Sequence, residues 1–226
     1  MMNVTRVLIL LFLSNFCEYS RGFAASKKSG KKGPKIVSGN GFAAPSQNLN
    51  LEDIVKKFPT RVPPNAAECE CPCGSGNLYK NCCEPFHLKD KLPETPLDVL
   101  RSRYTAFCWR MIPYVMETTH PTCRDFRKDK VLWAKDLNRD GMFDSYEFVG
   151  LNSGEVEISQ DNPNEGYIEF KVNLRANASG SHLEGQEITV CERSKFLCDG
   201  NPPRWRYASG EVRSDVKGLE DVQLNK

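Results

Sequence analysis

The chain has 226 residues, 39% of them hydrophobic, with 31 basic and 29 acidic side chains. That length and apolar content suit one ordinary domain plus a small module, and they exclude a fibrous chain. Residues 1–50 hold seven of the basic residues and one acid, which leaves 24 basic against 28 acidic residues beyond them, a balance that argues against general nucleic-acid binding.

The first element is "VLILLFL", Val7 to Leu13, far shorter than the roughly 20 apolar residues that a bilayer span needs. With Arg6 before it and small residues after it, the segment reads as a signal peptide over residues 1–22, so no membrane span is expected in the mature chain. The stretch from Phe23 to Leu51 has five lysines and no acid, which is transit-peptide chemistry over residues 23–50. A hydrophobic signal, "SRG" before Phe23 and an acid-free tail together resemble the two-part presequence of algal plastids that lie inside the secretory system, with "GFAA" at the cleavage site. The expected address is the plastid stroma; the alternative is secretion, under which the sequon Asn177-Ala178-Ser179 is a glycosylation site.

Residues 51–68 read as a linker. Residues 69–90 follow, opening on "CECPCGSGNLYKNCC", with five cysteines in fifteen positions. Within it Cys71, Cys73, Cys82 and Cys83 form C-x-C-x8-C-C, two close pairs separated by a turn, which suits tetrahedral zinc. Gly74 and Gly76 give a tight knuckle the backbone freedom it needs. A disulfide cluster is the competing reading, strengthened by a secreted address. Adjacent Cys82 and Cys83 pair awkwardly with each other, whereas both can ligate one ion. The wording closely resembles the SEC-C zinc motif, found in the tail of the SecA translocation motor. Cys69 then reads as a spare thiol and His87 as a surface residue. Cys108, Cys123, Cys191 and Cys198 are dispersed and read as small buried groups.

From Thr95, an N-cap followed by Pro96 and Asp98, the residues Leu97, Leu100, Tyr104, Phe107 and Met111 recur at helical spacing, predicting one helix or a bent pair that stops at His120-Pro121. In "YIEFKVNLRA", Ile168, Phe170, Val172, Leu174 and Ala176 alternate with polar residues, predicting a half-buried antiparallel strand. "EITVCERSKFLC", "DGNPP" and "RWRYASGEV" predict a hairpin after it. Helices first and antiparallel strands second give an α+β domain, a curved sheet packed on helices and preceded by the zinc knuckle.

The words "LRSRYTAF", "TTHPTC", "ERSKF" and "WRYASG" follow the zinc motif in the order found in the YchJ family, and the chain resembles that family over about residues 69–215. The resemblance implies a nuclear transport factor 2-like cone over 95–215, with 216–226 as a tail that lacks the second SEC-C motif of many relatives. Arg103, His120 and Glu192 are expected near the cone's pocket, with His120 the general-base candidate. The plainer reading, preferred here, makes His120 a helix cap and Arg103 and Glu192 an ion pair in a closed interior. No catalytic residue is assigned.

"DLNRDGMFDSYEF" raises calcium: Asp136, Asn138, Asp140, Gly141, Asp144 and Glu147 occupy positions 1, 3, 5, 6, 9 and 12 of an EF-hand loop. "DFRKDKVLWAK" supplies an entering helix, but the residues after Glu147 read as a strand. The leading expectation is a non-catalytic zinc protein that meets a chaperone, ribosome or translocation component through its SEC-C motif. The alternatives are a small-ligand pocket in the cone and calcium binding by residues 136–147.

Overall fold

The computed structural model describes residues 50–139, 142–177 and 184–213. Helix α1, Leu51–Lys57, opens on a capping box in which the Asp53 amide donates to Asn50 Oδ1 and the Asn50 amide to Asp53 Oδ2, both over 2.9 Å. Its Ile54 is buried and the helix packs against α5, Lys130–Arg139. The Arg61 amide then donates to Trp109 O over 2.8 Å. Residues 51–68, read from sequence as a linker, carry this helix and are docked against the domain.

A short helix α2, Glu84–His87, closes the cysteine-rich segment. Helix α3, Pro96–Cys108, begins with the expected Thr95–Asp98 capping box and Pro96 in its first turn. The predicted bent pair is real: α4 spans Ile112–Glu117, and Arg110 between the helices has φ +52°. Pro113 explains the break, because it lacks an N–H and its ring would collide with the carbonyl four residues earlier in a continuous helix. Residues 118–120 run beside the last strand. There the Tyr207 amide donates to Thr118 O over 3.0 Å and the His120 amide to Tyr207 O over 2.7 Å.

After α5 and the short α6, Met142–Ser145, four antiparallel strands follow as a meander: β1 Tyr146–Ile158, β2 Glu165–Ala176, β3 Glu187–Asp199 and β4 Arg204–Arg213, in the spatial order β1-β2-β3-β4. Register shifts in β1 and at Lys195/Phe196 mark bulges, which bend a sheet. The predicted alternation in β2 holds: Ile168, Phe170, Val172, Leu174 and Ala176 are all buried. The sheet meets α3 through β1 and β2, and Phe107 stacks on Phe148 of β1 with ring centroids 6.1 Å apart. The opposite face carries cross-strand ion pairs, with Arg175 between Glu147 and Glu187 and Arg193 against Glu157. The result is an α+β domain with one curved antiparallel sheet over its helices. No helix among the described residues is long and apolar enough to cross a membrane.

Candidate metal centre

The cysteine-rich segment folds as a knuckle closed by an antiparallel bridge between Glu70 and Leu78 and by the Cys71 amide donating to Asn77 O over 2.8 Å. Gly74 and Gly76 both lie at positive φ, +73° and +75°. A Cβ on Gly74 would also come within 3.1 Å of Leu151 O in β1, so the knuckle sits directly against the sheet. A 3-10 turn at Tyr79–Asn81 brings Cys82 and Cys83 back beneath the first pair.

The four sulfurs of Cys71, Cys73, Cys82 and Cys83 lie within 4.8 Å of one another, and all four cysteines are free. Sγ of Cys82 is 3.4 Å from that of Cys73 and 3.8 Å from that of Cys83. A zinc–sulfur bond of about 2.3 Å places the corners of a tetrahedron ~3.8 Å apart, so the donor set fits zinc, whereas a disulfide needs sulfurs ~2 Å apart. Cys71, Cys73 and Cys83 are buried and Cys82 is half-buried. Hydrogen bonds from Cys71 and Cys83 outweigh burial and hold the Cys73 thiol far below the ordinary range, while the same sulfur contacts push Cys83 up.

Aromatic contacts tie the knuckle to the domain. Tyr79 packs edge-on against Trp109 with centroids 4.6 Å apart, and its hydroxyl donates to His87 Nδ1 over 2.8 Å. His87 Nε2 lies 2.9 Å from Ser102 O, and a carbonyl only accepts, so the ring carries its proton on Nε2. Burial lowers the pKa of His87 to about 4. His87 is therefore a neutral link between knuckle and domain, not the surface residue expected from sequence. Cys69 Sγ donates to Asn65 O over 3.4 Å, outside the cluster.

Arg103 and Glu192 share one buried interior, both against Tyr207, whereas His120 turns away from it. Arg103 is buried, with Nη1 donating to Val115 O, Thr118 Oγ1 and Thr119 Oγ1 over 2.7, 2.9 and 3.1 Å, and its guanidinium lies 4.8 Å from the centre of the Tyr207 ring. Glu192 is buried too, and its carboxyl accepts from Ser194 Oγ. Arg103 donates to the Val115, Thr118 and Thr119 oxygens rather than directly to Glu192, though the two charges still act on each other, and burial pushes the Glu192 carboxyl well above its usual range. His120 turns to the end of β3: Nε2 meets Asp199 Oδ2 at 3.1 Å, and Nδ1 accepts from the Thr122 amide over 3.2 Å. The helix it was expected to cap has already ended at Glu117.

The comparisons with known proteins agree with this geometry. A family model for the SEC-C motif matches residues 70–85, and one described as the YchJ middle NTF2-like domain matches residues 95–210, about half of the chain. The chain belongs to the YchJ family. A UPF0225 protein of Haemophilus influenzae strain 86-028NP is 44% identical over 144 residues, 63% of this YchJ chain and 77% of its own length. One from Deinococcus radiodurans is 33% identical over 138 residues, 61% of this chain and 85% of its own. The solution structure of a SEC-C motif-containing protein from Rhodopseudomonas palustris superposes with a TM-score of 0.50 at 28% identity, covering 64% of this chain and 99% of its own.

The EF-hand reading of this YchJ chain meets a different geometry. Asp136 and Asn138 lie inside α5, and buried Asn138 donates from Nδ2 to Ala134 O over 2.8 Å. Asp144 is held by Arg61 and Arg110, and Glu147 is in β1, 3.0 Å from Arg175 Nη1. Asp140 and Gly141 lie outside the described residues. A helical turn and a paired strand hold these oxygens apart, so calcium has no support from them. Sequence reasoning missed Ser75 and Thr105, whose hydroxyls touch the zinc-type sulfurs; the signal was the spacing of Ser102, Thr105 and Trp109 on one helix face.

Proposed function

We propose that this YchJ protein is a non-catalytic adaptor whose zinc-stapled SEC-C knuckle presents a docking surface to a chaperone, ribosome or translocation component. The observation that carries this is the closed donor set: four thiolates satisfy tetrahedral zinc and leave no position for substrate or water, as in structural sites. When bound, zinc supplies folding energy to the knuckle. The protein's residues then define the surface. Gly74, Gly76, Asn77, Leu78 and Lys80 are exposed around the loop; Leu78 is an apolar side chain left in solvent, and Lys80 is ion-paired with Glu68 over 2.9 Å.

The same reading places the protein in the plastid stroma, on the strength of the signal and acid-free tail in its sequence. The adaptor role is tested with a photo-crosslinking residue in place of Leu78, in protein shown to carry one zinc. Crosslinks to a translation, chaperone or translocation component, lost when Lys80 is replaced by Glu with zinc retained, support it. An uncrosslinked surface in extracts of the native compartment overturns it.

A further inference from the structure

Helix α3 has two working faces. Arg103 and Phe107, four residues apart, point into the domain interior, where Arg103 reaches Tyr207. Ser102, Thr105 and Trp109, three and then four residues apart, lie on the side turned to the knuckle. There the Ser102 carbonyl takes the His87 proton and Trp109 takes the edge of Tyr79. Thr105 stands between them, wholly buried, with Oγ1 3.6 Å from Cys71 Sγ and 3.5 Å from Cys83 Sγ. A second hydroxyl approaches from the knuckle itself: Ser75 Oγ accepts the Asn77 amide proton over 3.2 Å and lies 3.1 Å from Cys82 Sγ. Accepting that bond leaves the Ser75 hydroxyl with its own proton to donate to the sulfur.

These contacts take on a direction when the cysteines act as ligands. A zinc-bound cysteine is a thiolate and can only accept, and four thiolates exceed the charge of one divalent ion by two. The surplus is buried, so hydrogen bonds to sulfur both spread the charge and fix the sulfur lone pairs toward the metal. Thr105 is the group placed to do this for one cysteine of each pair, sharing its single proton between Cys71 and Cys83.

We propose that Thr105 is a positioning residue of the zinc site, so that the SEC-C centre is complete only when the cone's first long helix is docked against it. The proposal rests on the zinc reading and goes beyond it. The metal site belongs to both modules, and its affinity reports the docking of α3. Thr105 lies in "LRSRYTAF", more than twenty residues after the last ligand, which is why the motif alone does not contain it.

The experiment compares wild type, Thr105→Val and Thr105→Ser, each purified with zinc, by competition against a colorimetric chelator. Zinc affinity is expected to fall about 10–100-fold in Thr105→Val, the usual effect of removing an outer hydrogen bond to a ligand, and to return in Thr105→Ser. In cobalt-substituted protein the thiolate-to-metal charge-transfer band should move to longer wavelength in Thr105→Val, because a sulfur that loses its hydrogen bond gives up its electrons more easily. If valine lowers the melting temperature in saturating zinc, Thr105→Ala gives the same comparison without the added methyl. Equal affinity and an unshifted band in the hydroxyl-free variants overturn the proposal while leaving the zinc site intact. Wild-type protein that binds neither zinc nor cobalt overturns the zinc reading itself.

Discussion

The Glu192 carboxyl occupies the space that a side chain on Gly210 would need: a Cβ built there falls 1.8 Å from Glu192 Oε1 and 2.9 Å from Tyr207 Oη. Gly210 pairs with Ser194 across β3 and β4, and Ser194 is the residue whose hydroxyl holds that carboxyl. The glycine in "WRYASG" is therefore a requirement of the buried acid. Gly210→Ala is expected to destabilise the domain by about 1–3 kcal/mol, the usual cost of overpacking, measured by urea unfolding. Stability equal to wild type would show that the acid moves aside freely.

The charge state of Glu192 gives a second prediction. Burial raises its folded pKa well above the usual carboxylate value of 4.5, so the folded chain keeps a proton that the unfolded chain releases. Stability then falls as pH rises above the unfolded value, by up to about 1.4 kcal/mol per pH unit, until the folded group ionises. Glu192→Gln removes this dependence while keeping an oxygen to accept from Ser194. The variant should gain on wild type progressively between about pH 5 and 8 in urea unfolding. Parallel pH profiles for the two proteins would mean that Glu192 is ionised in the fold.

Local signals carried much of this architecture. The Thr95–Asp98 cap, the period-two run in β2 and the cysteine spacing each involve residues a few positions apart, where periodicity and capping act. What escaped are pairings across long stretches of chain. Arg61 reaches Asp144, His87 finds Ser102 O, and Thr105 meets Cys71 and Cys83 only because α3 packs where it does. Glu192 looked like an ion-pair partner because an acid and Arg103 were both expected inside. No spacing rule shows that Arg103 is already met by Thr118, Thr119 and Val115 O.

Metal removal should melt more than the knuckle. Tyr79, Thr105 and the Gly74–Leu151 approach connect the cysteine loop to α3 and β1. Purified protein is expected to carry about one zinc per chain, and chelation should lower its melting temperature by on the order of 10 °C or more. Cys82→Ser, which leaves three thiolates, should show the same loss without chelator. A melting curve indifferent to chelator would separate the knuckle from the domain's stability.

The address of the protein is tested with residues 1–60 fused to a fluorescent protein. The hydrophobic segment followed by the acid-free tail leads to the expectation of plastid import, impaired when Phe23 is replaced. Secretion of the fusion, or glycosylation at Asn177 in the native protein, would point to the other route.

Calcium is expected to leave the protein unchanged. An EF-hand closes when its first and twelfth ligands meet at one ion. Here Asp136 is in α5, while Glu147 is registered against Arg175 in β1 and its carboxylate is ion-paired with the same arginine. Asp144 has another task. Hydrogen bonds from Arg61 and Arg110 overcome its partial burial and hold its carboxyl below the usual range, and Arg110 is a buried cation between the Phe58 and Phe143 rings. Removing the carboxylate leaves that cation without its counter-charge, which costs stability whatever metal is present. Asp144→Asn should therefore lower the melting temperature equally with and without millimolar calcium, and Glu147→Gln should make no calcium-dependent difference. A rise in melting temperature with calcium that disappears in Glu147→Gln would restore the EF-hand reading and require α5 to unwind at its end.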